Sequence, residues 1–199
     1  MALSITLVGG PTAVLDIDGF RIVTDPTFDP PRAYPQPGMG FSLIKTAGPA
    51  LTPEDIAPVH LVLASHDHED NLDHAGREFL AASPLAFTTH AVAAGFGDHV
   101  TGLNEYESST VVLPGGGKLA VTAVPAHHGP EGVRQVSGPV AGFVLSGVGV
   151  PTIYISGDNS DVELVQDIQQ KCGPIDVAVL FAGGAGFEQL ARGRGPHTR

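Results

Sequence analysis

The chain has 199 residues, 42% of them hydrophobic and 16% charged, enough for one domain whose core needs no disulfide. Ten basic residues against 21 acidic ones leave a formal charge of −11, which repels a phosphate backbone and argues against nucleic-acid binding. The single cysteine, Cys172, excludes an internal disulfide, and Met1-Ala2-Leu3-Ser4 lacks the positive start of a secretory signal, so the expected compartment is the cytoplasm.

With 26 glycines and 17 prolines, the chain favours short elements joined by many turns. Residues 4–8, 13–17 and 21–24 read as three strands, the last two joined by Asp18-Gly19, a two-residue hairpin signal. Residues 26–49 run through many prolines and glycines as a long loop of the kind that covers a site. Thr52 and Pro53 mark a helix start as N-cap and first helical residue, and apolar residues 59–64 follow as a strand. Beyond a histidine-rich turn, Leu72, Ala75, Phe79 and Leu80 carry helical spacing over 72–82, and 85–88 form the next strand. Residues 110–113 and 118–124 flank the turn Pro114-Gly115-Gly116-Gly117, and strands follow at 140–146 and 152–156. A helix over 161–171 and a strand over 177–181 complete a second strand-helix-strand unit. The most apolar stretch, 140–155, is broken by Gly142, Gly147, Gly149 and Pro151, so no membrane span is expected.

Three turns carry the chemistry. Ser65-His66-Asp67-His68-Glu69-Asp70-Asn71 directly follows an apolar strand. A turn need not obey the two-residue alternation of a strand, so His66, His68 and Asp70 can aim at one point. The competing reading is a solvated loop in which Asp70 or Asn71 caps the following helix. In Pro125-Ala126-His127-His128-Gly129-Pro130 one of two imidazoles can supply a third nitrogen, and the spacing does not choose between them. In Ser156-Gly157-Asp158-Asn159 a carboxylate can bridge two cations about 3.5–4 Å apart, or it caps the helix that begins near Asp161. Asp25, in Thr24-Asp25-Pro26, reads as a turn residue or a support for a ligand rather than a ligand.

In order and spacing, Thr24-Asp25-Pro26, His66-x-His68-x-Asp70, His128-Gly129-Pro130 and Ser156-Gly157-Asp158 resemble the metallo-β-lactamase superfamily over nearly the whole chain. Within it they are most similar to stand-alone bacterial zinc-dependent hydrolases related to the ascorbate-phosphate lactonase and to the phospholipase D that cleaves N-acylphosphatidylethanolamines. The resemblance implies an α/β (α+β) fold: a four-layer αββα sandwich of two mixed sheets, with metals at one edge. It implies His66, His68 and His128 as ligands of one metal, Asp70 at a second site and Asp158 as bridge. His128 is preferred to His127 because it directly precedes Gly129-Pro130. The implied cofactor is zinc, one or two ions, with manganese or iron(II) as alternatives. The implied reaction is metal-assisted hydrolysis of an ester, lactone, amide or phosphodiester bond in a small molecule. The cation lowers the pKa of a bound water to about 7, and Asp70, the catalytic carboxylate, orients that water.

Two departures qualify the resemblance. Asn71 stands where the common superfamily pattern has a second-site histidine, and an amide oxygen is a weaker zinc ligand than imidazole. The superfamily's last histidine lies on a strand beyond the equivalent of 177–181, after a further helix. Here residues 183–199 read as a Gly/Arg-rich tail in which His197 is not expected to ligate. The expected division is therefore a domain over 1–182 and a tail over 183–199 that lacks the last helix and strand, leaving an open sheet edge that invites a homo-oligomer. Two rivals follow from the same departures. One is a metal-binding homologue with an incomplete second site and no turnover. The other is a di-iron redox protein of the same fold, which needs that second site complete.

Overall fold

In the computed structural model, which describes residues 2–36, 41–129 and 138–182, the chain opens with an antiparallel meander. Its strands are β1 (Leu3–Gly9), β2 (Thr12–Ile17) and β3 (Phe20–Thr24). Asp18 and Gly19 both take positive φ, 48° and 87°, the mirror-image turn whose twist matches the strands it joins. Within the expected loop 26–49, β4 (Arg32–Gln36) and β5 (Phe41–Lys45) pair as a separate antiparallel hairpin, which corrects that expectation. A two-stranded ladder has free outer edges, so it tolerates Pro35 where a central strand would not. Buried Tyr34 fastens the hairpin by donating its hydroxyl to Asp29 at 3.0 Å.

α1 (Pro53–Ile56) starts as expected, with Thr52 and Asp55 capping reciprocally. β6 (Leu61–Leu63), α2 (His74–Ala82), β7 (Ala86–Thr88), α3 (His90–Ala93) and β8 (Val100–Gly102) then build the parallel half of the first sheet, whose order is β1-β2-β3-β6-β7-β8. α3 and β8 are too short for either period to mark them in the sequence. The cap of α2 is Asp73, which accepts the Gly76 N–H at 2.8 Å, so the competing reading of Asp70 or Asn71 as that cap does not hold. In the second sheet β9 (Ser108–Val112), β10 (Lys118–Pro125), β11 (Ala141–Gly147) and β12 (Val150–Ile155) are antiparallel neighbours. α4 (Val162–Cys172) then returns the chain to β13 (Val177–Val179), parallel to β12. Asp161 caps α4, accepting from the Leu164 N–H at 3.1 Å, which leaves Asp158 without that duty.

Alternation along the strands sorts the apolar side chains into layers. Leu15, Ile17, Ile22, Leu61 and Leu63 of the first sheet meet Leu119, Val121, Phe143, Leu145 and Ile153 of the second in one buried core. Burying a side chain such as Ile22 contributes roughly 1.5–3 kcal/mol. Val62, on the opposite face of β6, packs with Leu72 and with Leu80 of α2, while Val14 and Val23 pack with Phe28 and Ile56. Beyond the second sheet, Val144 and Tyr154 pack with Ile168 of α4. The result is helix, sheet, sheet, helix, the expected four-layer sandwich of two mixed sheets. The tail 183–199, with His197, lies outside the described residues. Among the described residues no helix is long and apolar enough to cross a membrane.

Candidate metal centre

β3 and β6 run parallel, and β10 and β12 share a direction because each is antiparallel to β11. Each pair therefore ends at one edge of its sheet, and the segments that follow carry Asp25, the histidine turn, His127-His128 and Asp158. The edges are tied together where the Ala141 N–H donates to Ser65 O at 3.0 Å. Gly157 sits at this seam with φ +52°, and a Cβ there would lie 2.6 Å from Ala141 O and 3.0 Å from Ser65 Cβ. Only glycine lets the two loops come this close.

The structure brings His66, His68 and His128 together, with one ring nitrogen of each within 4.8 Å of the others. His66 Nε2 faces His68 Nδ1 at 3.0 Å. Asp158 Oδ2 stands 3.8 Å from His66 Nε2 and 3.5 Å from His128 Nε2. Asp70 is exposed on the rim, close enough to Asp158 for its charge to push that carboxyl upward. His127 points elsewhere, its Nδ1 bonded to Asp161 Oδ2 at 2.8 Å.

Behind the cluster a hydrogen-bond chain sets the tautomer of His66. Asp25, 1% exposed, accepts the Ser65 N–H at 2.5 Å and the Ser65 hydroxyl at 2.7 Å. Having given its proton to the carboxylate, the hydroxyl accepts from His66 Nδ1 at 2.8 Å, which leaves the Nε2 lone pair facing the cluster. Burial, with His68 and His128 beside it, lowers His66 to about 2, so the ring is neutral. Burial also pushes Asp25 up to about 7 against the pull of its Ser65 bonds, and raises Asp158 against the pull of Asn71. Neutral His66, set among His68, His128 and carboxylates whose ionisation burial disfavours, suits a cation, and three imidazole nitrogens are a donor set of the kind that holds zinc.

This chain makes Asp25 testable. In Asp25→Asn one acceptor oxygen becomes an N–H donor, so the Ser65 hydroxyl accepts from the amide and donates to His66 Nδ1, moving the ring proton to Nε2. Zinc affinity is expected to fall about 10–100-fold, read by competition with a chromophoric chelator.

Asn71 is buried, and its Nδ2 donates to Asp158 Oδ1 at 3.0 Å and to Asp25 Oδ2 at 3.4 Å. An amide oxygen aimed at two carboxylates would be repelled, so the amino group must face them. Asn71 thus ties the two carboxylates together but presents no lone pair between them. Sequence reasoning missed Ser65 as the link to His66, because a serine after a strand carries no signal of its own. It also missed Gln36, which donates to Glu69 at 3.1 Å and joins the β4–β5 hairpin to the histidine turn.

A four-layer sandwich with imidazoles gathered at the common edge of its sheets defines the metallo-β-lactamase class of fold. Residues 20–191 match the family described as the beta-lactamase superfamily domain, and the chain belongs to that superfamily. It is similar to a metal-dependent hydrolase of Anaeromyxobacter dehalogenans, 27% identical over 178 residues, covering 83% of this chain and 59% of the relative. It is also similar to the N-acyl-phosphatidylethanolamine-hydrolyzing phospholipase D 1 of Caenorhabditis elegans, 27% identical over 203 residues, covering 89% of this chain and 53% of the relative. The chain thus spans between half and three fifths of the length of these relatives. An isothiocyanate hydrolase from Delia radicum gut bacteria shares the fold, with a TM-score of 0.70 and 22% identity over 90% of this chain and 71% of that one.

Proposed function

We propose that the chain is a metal-dependent hydrolase acting on an ester, lactone, amide or phosphodiester bond of a small molecule, with one zinc ion held by His66, His68 and His128. The observation that carries this reading is the convergence of three imidazole nitrogens within 4.8 Å around buried, neutral His66 in a beta-lactamase superfamily chain. Bound there, a divalent cation supplies the Lewis acidity that lets water ionise near pH 7. Zinc ranks ahead of manganese and iron(II) because an all-imidazole set is softer than those ions prefer. His66 closes the floor of the site, and Asp25, acting through Ser65, keeps its Nε2 free of a proton. Asp158 adds a carboxylate beside His66 and His128. Asp70, on the solvent side, orients the attacking water and takes its proton on a carboxylate oxygen. A cytoplasmic location fits the single cysteine.

Asn71 favours a second reading, a metal-binding homologue without turnover, because its amide donates to Asp158 and Asp25 where another cation would need a lone pair. The same contact counts against a di-iron redox protein. The test is metal analysis of the zinc-loaded protein followed by turnover of ester, lactone, amide and phosphodiester substrates. One ion per chain, with turnover that disappears in His68→Ala, is the expected result. One ion without turnover leaves the non-catalytic reading standing, and less than one ion overturns both.

A further inference from the structure

We infer that His127, Asn159 and Ser160 are positioning residues that fix His128 relative to Asp158, so that metal affinity depends on a clamp between two loops. The inference rests on the reading of His66, His68 and His128 as ligands. His66 is braced from behind by Ser65 and Asp25, whereas His128 lies past the end of β10 and is followed by Gly129 at φ +76°. Its neighbours are held instead. The His127 N–H donates to Asn159 Oδ1 at 3.0 Å, and the His127 carbonyl accepts the Ser160 N–H at 2.9 Å and the Ser160 hydroxyl at 2.7 Å. The same hydroxyl reaches Gly129 O at 3.3 Å, so the residues on both sides of His128 are engaged. His127 Nδ1 adds its bond to Asp161 Oδ2.

Asn159, Ser160 and Asp161, which make these bonds, directly follow Asp158 in the chain. These residues are themselves braced: Asn159 Nδ2 donates to Asp161 O at 2.9 Å, Asn159 Oδ1 accepts the Asp161 N–H at 3.2 Å, and Asp161 Oδ1 caps α4. His128 and Asp158 are therefore referenced to one rigid base, the start of α4. A ligand loop that is ordered beforehand pays no ordering entropy when the cation binds, and one without the clamp does.

The test compares the full chain with Asn159→Ala/Ser160→Ala, using zinc alone by chelator competition and cobalt(II) alone by its visible absorption, which reports ligand geometry. The double variant is expected to bind zinc about 10–100-fold more weakly, with an altered cobalt spectrum. Since the double variant could fail to fold, Ser160→Ala at an exposed position gives the same readouts, and Ser160→Thr, which keeps the hydroxyl, is expected to restore them. If the unaltered chain binds zinc and both alanine variants match its affinity and cobalt spectrum, the clamp is overturned while the three-histidine reading stands. If the unaltered chain binds no zinc, that reading fails and the clamp with it.

Discussion

His66→Ala is expected to abolish tight zinc binding, and any turnover with it. The side chain is 1% exposed, and its Nε2 lies 3.0 Å from His68 Nδ1 and 3.8 Å from Asp158 Oδ2. A complete zinc site is worth about 10–16 kcal/mol, so losing one of its nitrogens costs on the order of 3 kcal/mol, or at least about 100-fold in Kd. Ligand-linked stability gives a readout that does not depend on knowing the substrate. Zinc at 1,000 times Kd raises the stability of the unaltered chain by about 4 kcal/mol, while the same zinc raises a 100-fold weaker variant by only about 1.4 kcal/mol. The vacated volume also lowers stability without metal, but the zinc-induced rise is measured from each protein's own metal-free baseline. Equal rises in Tm for the two proteins would place the cation away from His66.

The second large effect lies outside the site. Asp73 is fully buried, and its carboxylate accepts the N–H groups of Phe28 at 3.0 Å, Asp29 at 2.8 Å and Gly76 at 2.8 Å. It also pairs with Lys45 Nζ at 2.8 Å. One side chain thus caps α2, anchors the segment after β3 and fastens β5. Asp73→Ala leaves three N–H donors and a largely shielded ammonium without that partner, and removing one member of a buried pair costs about 3–5 kcal/mol. Against a total of about 5–15 kcal/mol, this is about a fifth of the stability or more. Urea unfolding checks it, and a loss under about 1 kcal/mol would mean that water or Thr27 O, which Lys45 also reaches at 3.1 Å, takes over the role. The packing leaves little room to adjust, since a Cβ at Gly76 would fall 1.8 Å from Pro26 O.

Much of the fold was legible because its signals are local. Alternating Ala13, Leu15 and Ile17, the Asp18-Gly19 turn and the apolar run at β6 need only a few neighbours to be read, and each lies within a residue or two of the observed element. β4 and β5 hid among prolines because the hairpin is fixed by Tyr34 on Asp29 and Lys45 on Asp73, contacts that no period announces. α3 and β8 hid because four and three residues are too few to show one.

The candidate site divides along the same line. By itself the sequence determined the kinds of donor and their place at the ends of strands: two imidazoles and a carboxylate in one turn, two imidazoles in another, a carboxylate in a third. Tertiary structure decided which of them meet. It set His128 rather than His127 beside His66, gave the helix caps to Asp73 and Asp161, and turned the Asn71 amide toward Asp158 and Asp25. It also placed Asp25 behind Ser65, 40 residues away in the chain, where it orients His66. The physical reason is range. A strand end is fixed by residues two apart, whereas a shared metal position depends on the register of β10, β11 and β12 and on one close approach at Gly157, where the loops after β6 and β12 meet.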